Sequence, residues 1–595
     1  MRRIKRGFPG IGCALALVMA GVAAPALAKD EPADGVMAQP PLTAAPSDIP
    51  DPDIRAWWNL TYDRKPPVPI PGNDYGMDAA TGTFRHPKAT PLVRTAPNFP
   101  GQLDHWDQKS YRKNVDVLAF YNFIPSTGHT WQTIVDFGQT RYMYVYYRSG
   151  LGIFDITDPR KAKLVYRRGQ RIAAYGKRDI VNPYGKSDGF GAANVQWHKG
   201  LGKYVMVQAF EVPRYGVMDE KYREPKGVDT LKHSQGLKGF RVYAMDGPLP
   251  DQWQLIAERT TDYRHPDAPY GQQQGSGALD IPAWTGGKYM FLSTAPDDRF
   301  MLTEFADYIY TPGYQVWDMS NPANPAFVSQ FAAPGQILGD PDHEAAYLMN
   351  PRAGNRTSWF GSRMPPFMTK APDEGGKIAF GAMAGLGLYA LDISNPADIR
   401  IVGHVNQVPK FAGTEFDNVD LSQYERTGYI FSNGYPMNDE CYEPYKDIFV
   451  VDARDPAKLK IAATFPRPTP PADAAFTDYC QRRGSFGPKR SGYLTQPGRF
   501  RDGIVSYAFY NAGVQIFDVK DPTKPVIAGY FVPRFPTDAE TGGESQGNLT
   551  YGVYVEYDRN ILWAFTNHGF YALSSPLLGK PMFKAPDKPW PSRRQ

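Results

Sequence analysis

The chain has 595 residues, 66 Lys and Arg against 61 Asp and Glu for a formal net charge of +5, and three cysteines. Nothing concentrates positive charge into the basic face that a nucleic acid needs, so a nucleic-acid partner is excluded. The 57 Gly, 56 Pro and 37 Tyr favour turns and aromatic strands over long amphipathic helices and predict an all-β protein.

Residues 1–28 have the layout of a secretory signal peptide: Arg2, Arg3, Lys5 and Arg6, an apolar run over 14–24, and small residues ending at Ala28. Cleavage there removes four basic residues and lowers the net charge from +5 to +1. The run is shorter than the roughly 20 residues of a spanning helix, and no later segment reaches that length. The expectation is a soluble periplasmic or secreted protein with no transmembrane segment. Cys441 and Cys480 remain after cleavage, and an oxidising compartment makes a disulfide between them one reading and two buried thiols the other. Residues 29–113, dense in Pro and Trp, read as an irregular N-terminal extension.

From residue 150 onward a phrase recurs. It reads Gly150-Leu-Gly-Ile-Phe-Asp155-Ile-Thr-Asp-Pro159, Gly313-Tyr-Gln-Val-Trp-Asp318-Met-Ser-Asn-Pro322 and Gly387-Leu-Tyr-Ala-Leu-Asp392-Ile-Ser-Asn-Pro396. It returns at Asp447 to Pro456, where Asp replaces the leading Gly, and at Gly513 to Pro522, with degenerate copies ending at Pro248 and Pro576. The leading Gly suits the positive φ of a hairpin, the β-branched and aromatic residues suit a buried strand, the Asp can cap the next turn, and Pro ends the ladder. Apolar runs lie upstream of several copies, as in residues 203–208, 288–293 and 428–432, and downstream, as in 524–531. Three or four antiparallel strands per copy make a propeller blade, so seven copies predict a β-propeller of about seven blades, with six or eight as alternatives. Residues 114–122 read as an outer strand that completes the last blade, a slot for which residues 580–584 compete. The propeller is thereby placed at 114–584 and a C-terminal tail at 585–595.

This phrase resembles the LVIVD repeat of exported bacterial proteins, over about residues 130–581. The resemblance implies a β-propeller and carries no common reaction with it. The spacing between copies, widest from Asp155 to Asp246, exceeds the roughly 40–50 residues of a compact blade. The excess falls in inserts at 214–236, 297–312, 353–375 and 465–497, and inserts on a rigid scaffold are where function tends to reside.

Loops entering the innermost strands converge on the channel mouth, and there the candidate ligand-binding residues are His129, Asn194, Asp280, His343, Glu415, Asp417, Asp478, Arg482 and Asn548. His343, Glu415 and Asp478 could together hold a divalent metal ion, the one cofactor this set suggests. His343, flanked by Asp342 and Glu344, and Glu415 are the catalytic candidates as general acid or base. His198, His233 and His568 also fall near strand ends, where a structural histidine is the alternative. Gly543-Glu-Ser545-Gln-Gly547 matches the nucleophile-elbow pattern, but a strand rather than a helix follows it. The sequons at Asn59, Asn355 and Asn548 carry no weight behind a bacterial-type signal. Two functions compete: a binding or scaffold protein of the cell envelope that holds a small molecule, glycan or envelope protein, and a channel-site enzyme, either a metal-dependent hydrolase or lactonase or an oxidoreductase. No catalytic constellation stands out, which favours binding.

Overall fold

Each copy of the phrase forms the third strand of a blade together with the turn that follows it. The structure is a computed structural model, and it describes residues 109–123, 131–147, 150–168, 193–211, 238–261, 281–294, 302–303, 309–310, 313–334, 336, 364–406, 416–434, 436, 446–477, 479–482, 485–491, 497–535 and 550–591. Within them the strands form seven blades in a propeller arrangement.

The first blade is Trp131–Phe137, Thr140–Tyr147, Gly150–Asp155 and Lys163–Arg168, each strand antiparallel to the next from the innermost outward. The second (Ala193–His198, Lys203–Glu211, Lys238–Met245, Trp253–Thr260), third (Ala283–Trp284, Tyr289–Thr294, Gly313–Asp318, Ala326–Phe331) and fifth (Asn418–Asp420, Tyr429–Asn433, Ile448–Asp452, Lys460–Thr464) repeat that order. The fourth blade has Ile378–Ala382, Leu388–Asp392 and Arg400–Val405, and Phe367 bridges Phe380 on its inner side. The sixth has Ile504–Ala508, Val514–Asp518 and Val526–Val532, with Lys489 and Arg490 bonded to Ala508 on the inner side. The seventh has Thr550–Glu556, Ile561–Thr566 and Gly569–Ser574.

The N-terminal strands finish two blades. β1 (Tyr111–Lys113) pairs with Val526–Val532 at the outer edge of the sixth, and β2 (Asp116–Asn122) pairs with Gly569–Ser574 as the outer strand of the seventh. The strand expected over 114–122 therefore takes the slot for which 580–584 competed. The pairing by β1 has no counterpart in the sequence reading.

The Asp of the phrase works as expected. Asp155, Asp318, Asp392, Asp452 and Asp518 each accept a bond from the N–H two residues on, at 2.8–3.2 Å. The residue before Pro repeats the device, as in Asp455 to Ala457 N–H and Asp521 to Thr523 N–H, so two Asx turns in tandem lead into the outer strand. The leading Gly has a second reason beyond conformation. Positive φ occurs at Gly387 (+111°) and Gly513 (+72°), but a Cβ at Gly313, Gly387, Gly513 or Gly569 would lie 2.2, 2.7, 2.1 or 2.2 Å from a carbonyl oxygen of the outer strand. Close backbone approach is the shared requirement. In all seven blades a register shift between third and outer strands follows, and such a bulge increases twist.

The apolar core is divided among the seams between blades, with one cluster in each of seven. The closing seam sets Ile561, Trp563 and Phe570 of the seventh blade against Ile134, Met143 and Val145 of the first. Among the described residues no helix is long and apolar enough to cross a membrane.

Candidate functional site

Antiparallel order puts two kinds of connection on one face of the ring: the chain entering each innermost strand and the hairpin from second to third strand. The opposite face carries the Asx turns and the turns from first to second strand. Long connections, such as those over 212–237 and 295–312, join strand ends on the entry face, whereas the fifth blade's 421–428 connection, with the helix Tyr424–Thr427, lies on the opposite one. His129, Asp280, His343, Glu415, Asp478 and Asn548 lie outside the described residues, as do His233, Ser545 and Cys441. Cys480 falls in a short 3₁₀ turn, Tyr479–Arg482. Asn194, Asp417 and Arg482 are described, and all three are buried.

Asn194 is occupied by the fold. Its amide N–H groups donate to the carbonyls of Pro282 and Trp284 at 2.9 and 2.8 Å, and its oxygen accepts from Gln196 at 2.9 Å, which fastens the second blade to the third. Thr133 does the same one seam earlier, donating to the Ala193 carbonyl at 2.5 Å. Arg482 is packed between the Phe476 and Phe535 rings, 5.1 and 5.0 Å from their centroids, and donates to the Pro533 carbonyl at 2.6 Å. Burial pushes its guanidinium pKa down to about 9. The described histidines are also structural: His198 accepts from the Leu201 N–H at 3.1 Å and is held below its ordinary pKa by burial, and the ring nitrogen of His568 lies 3.2 Å from Thr566 Oγ1.

Asp417 differs. It immediately precedes the innermost strand of the fifth blade, where its N–H donates to the Asn433 carbonyl at 2.7 Å. Its carboxylate is 3.7 Å from the Lys489 ammonium on the inner edge of the sixth blade, with side-chain exposures of 2% and 0%. Oδ2 of Asp417 receives no hydrogen bond among the described residues. Around the pair, Asn418 Nδ2 is 3.4 Å from Ser491 Oγ, and Asn433 Nδ2 donates to the Lys489 carbonyl at 3.0 Å. At the far end of the same short strand, Asp420 accepts from Ser422 N–H at 2.8 Å, and burial raises its carboxyl pKa against the opposing effect of Ser422 and Ser491.

The largest buried charge network escaped sequence reasoning altogether. Arg141 donates to Asp136 (2.6 and 2.8 Å), Glu556 (2.6 Å) and Asp558 (both 2.9 Å), and Arg559 donates to Glu556 (2.9 and 2.7 Å). Trp563 adds its indole N–H to Glu556 at 2.7 Å. Burial opposes charge on Glu556, but Arg559 and Arg141 outweigh it and hold the carboxyl below its ordinary range. The network lies at the end of the closing seam away from the entry face, where it has a structural role. A sequence signal did exist: Arg141 and Glu556 are single charges at the ends of apolar strands. Among the described residues no group of three or more His, Cys, Asp or Glu is placed to hold a metal ion.

Seven blades, five of them followed by the same Asx-turn phrase, make a β-propeller of the LVIVD type. A family model for the LVIVD repeat matches residues 376–407, the third and outer strands of the fourth blade with the strand before them. No curated protein matches the chain. Similar solved structures include Chaetomium thermophilum Sqt1 bound to the N-terminus of the ribosomal protein L10, at 10% identity and TM-score 0.35 over 78% of this chain and 100% of that one. Another is the Myceliophteria thermophila Cps50 (Swd1) β-propeller domain, at 11% identity and TM-score 0.37 over 77% and 99%. A functionally unknown protein from Desulfotomaculum acetoxidans DSM 771 is similar at 10% identity and TM-score 0.32 over 67% and 85%.

Proposed function

We propose that this chain is an exported binding protein of the cell envelope, which holds a ligand at the entry end of the propeller beside the seam between the fifth and sixth blades. One observation carries the reading: Thr133 and Asn194 on the inner strands are spent on stapling one blade to the next, whereas Asp417, a buried carboxylate at a strand entrance, has an oxygen that receives no hydrogen bond among the described residues. A buried carboxylate oxygen of that kind is costly unless a further group completes it. The layout of residues 1–28 supports export.

The test has two parts. N-terminal sequencing of the exported protein should begin at Lys29, and a chain retained with residues 1–28 would overturn export. Thermal-shift and calorimetric screening of the purified protein against small molecules, glycans and envelope fractions should find a stoichiometric ligand whose affinity falls on changing Asp417. Elemental analysis with ester, lactone and redox panels runs alongside, and turnover that depends on a stoichiometric metal would replace this reading with the channel-site enzyme.

A further inference from the structure

We infer that residues 577–591 form a clasp on the inner end of the closing seam, and that its release lets the seventh and first blades part at the channel while their outer edge stays joined. The segment follows the last strand onto the face of the Asx turns and touches four consecutive blades there. Arg501 of the sixth blade donates to the Leu578 carbonyl, Asn560 of the seventh donates to the Lys580 carbonyl at 2.9 Å, and the Met582 N–H donates to the Arg559 carbonyl at 2.8 Å. The Arg160 guanidinium of the first blade lies 4.1 Å from the Phe583 ring centroid, and the Tyr204 hydroxyl of the second donates to the Trp590 carbonyl at 3.4 Å. Trp590 ends the run beside the innermost strand of the first blade, buried in the same apolar cluster as Trp563 and Phe570 of the seventh.

The closing seam is thereby held at two radial positions by parts of the chain outside the repeat. At the outer edge β2 pairs with Gly569–Ser574 through a ladder, and the Tyr121 hydroxyl bonds to the first blade at Pro159 and Ala162. At the inner edge the hold comes from a segment without strand or helix, whose prolines at 581, 586, 589 and 591 have no N–H to give. Local opening starts at elements of this kind rather than at paired strands. The charge network between the two edges divides cleanly. Parting the blades separates Arg141 from Glu556, yet Arg141 keeps Asp136 within its own blade, and Glu556 keeps Arg559 and Trp563 within its own. Neither the arginine nor the glutamate is left as an unpaired buried charge, the outcome that makes breaking such a network costly.

Hydrogen exchange of the full chain, read by mass spectrometry, tests the clasp in the variant Phe583→Ala with Trp590→Ala, and in Phe583→Ala alone where the pair folds poorly. Exchange should be about tenfold or more faster in the innermost strands Trp131–Phe137 and Thr550–Glu556, with β2 and Gly569–Ser574 as slow as in the parent. A synthetic peptide of residues 577–591, added to the variant, should restore slow exchange in a saturable way. Equal acceleration in β2 would show the seam opening as one unit. Acceleration shared by the third, fourth and fifth blades would show a general loss of stability, and unchanged innermost strands a tail that only covers the face. Each of these results overturns the inference, as does an acceleration that the peptide leaves in place.

Discussion

Asp136 and Trp590, 454 residues apart, are joined by two hydrogen bonds: the Trp590 N–H donates to the Asp136 carboxylate at 2.7 Å, and the Asp136 N–H donates to the Trp590 carbonyl at 2.8 Å. The C-terminal segment is thus fastened to the innermost strand of the first blade, on the face opposite the entry loops. The same carboxylate takes two bonds from Arg141. Asp136→Ala therefore removes a charge from a buried network and frees the tail together. The expected cost is about 3–5 kcal/mol. Trp590→Ala keeps the network and loses the indole from the closing seam, at about 3 kcal/mol. Urea unfolding of both variants checks the order, and a smaller effect for Asp136→Ala than for Trp590→Ala would contradict it.

Acid should weaken the ring through its Asx turns. The Ser394 hydroxyl and N–H hold Asp392 below the ordinary carboxylate range, Arg454 does so for Asp452, and the Lys520 N–H outweighs burial at Asp518. A carboxylate with a lowered folded pKa stabilises fully above its unfolded value of about 3.9, and the contribution disappears as pH falls through the folded value. Urea midpoints should hold near neutrality and fall below about pH 4. Asp420 has the opposite sign, because burial raises its carboxyl and ionisation works against the fold. Asp420→Asn should be at least as stable as the parent at pH 7, and because the variant lacks a group whose protonation favours the fold, its advantage should shrink as pH falls; a clear loss of stability at pH 7 would count against this account.

The closeness of blade backbones can be measured at one glycine. At Gly513, φ is +72° and a Cβ would lie 2.1 Å from the Phe531 carbonyl oxygen, whereas Gly138, at φ +61°, has no atom within 4 Å of that position. Gly138→Ala should cost about 1 kcal/mol, the price of the left-handed conformation alone. Gly513→Ala adds displacement of the outer strand and should cost about 3 kcal/mol. Equal losses would show that the close approach is relieved at no expense.

What could be read in advance follows from what repeats. The phrase at Asp155, Asp318, Asp392, Asp452 and Asp518 is local chemistry, a strand and an Asx turn within ten residues, so the blades and their number were legible. The candidate site depends on distant positions that carry no repeat. Asn194 looked like a ligand group because it sits at a strand entrance, but only the third blade's carbonyls, at residues 282 and 284, show that its amide is spent. Lys489 lies in Gly487-Pro488-Lys489-Arg490, which reads as a loop, and it gains its meaning from bonding beside Ala508 and facing Asp417. Pairing across seams leaves no periodic trace in one sequence.

The N-terminal strap gives the last prediction. β1 and β2 are consecutive in sequence yet belong to different blades, so the segment between them crosses a seam on the outside of the ring. Asn114 marks the crossing, donating to the Ala528 carbonyl at 2.8 Å while its own carbonyl accepts from Ser575 at 2.6 Å. Beyond it, Tyr121 of β2 reaches the first blade: its hydroxyl donates to the Pro159 carbonyl at 2.7 Å and accepts from the Ala162 N–H at 2.8 Å, which ties ring closure to the first copy of the phrase. Tyr121→Phe leaves both backbone groups to water at a partly exposed position and should cost about 1 kcal/mol. Tyr111 anchors the other end, buried and edge-on to Phe476 with centroids 5.7 Å apart, so Tyr111→Ala should cost about 3 kcal/mol. Hydrogen exchange locates the effect. Tyr121→Phe should speed exchange in β2 and the seventh blade's outer edge, Tyr111→Ala in β1 and the sixth. If either change loosened both edges equally, the strap would be docking as one unit rather than as two separately anchored strands.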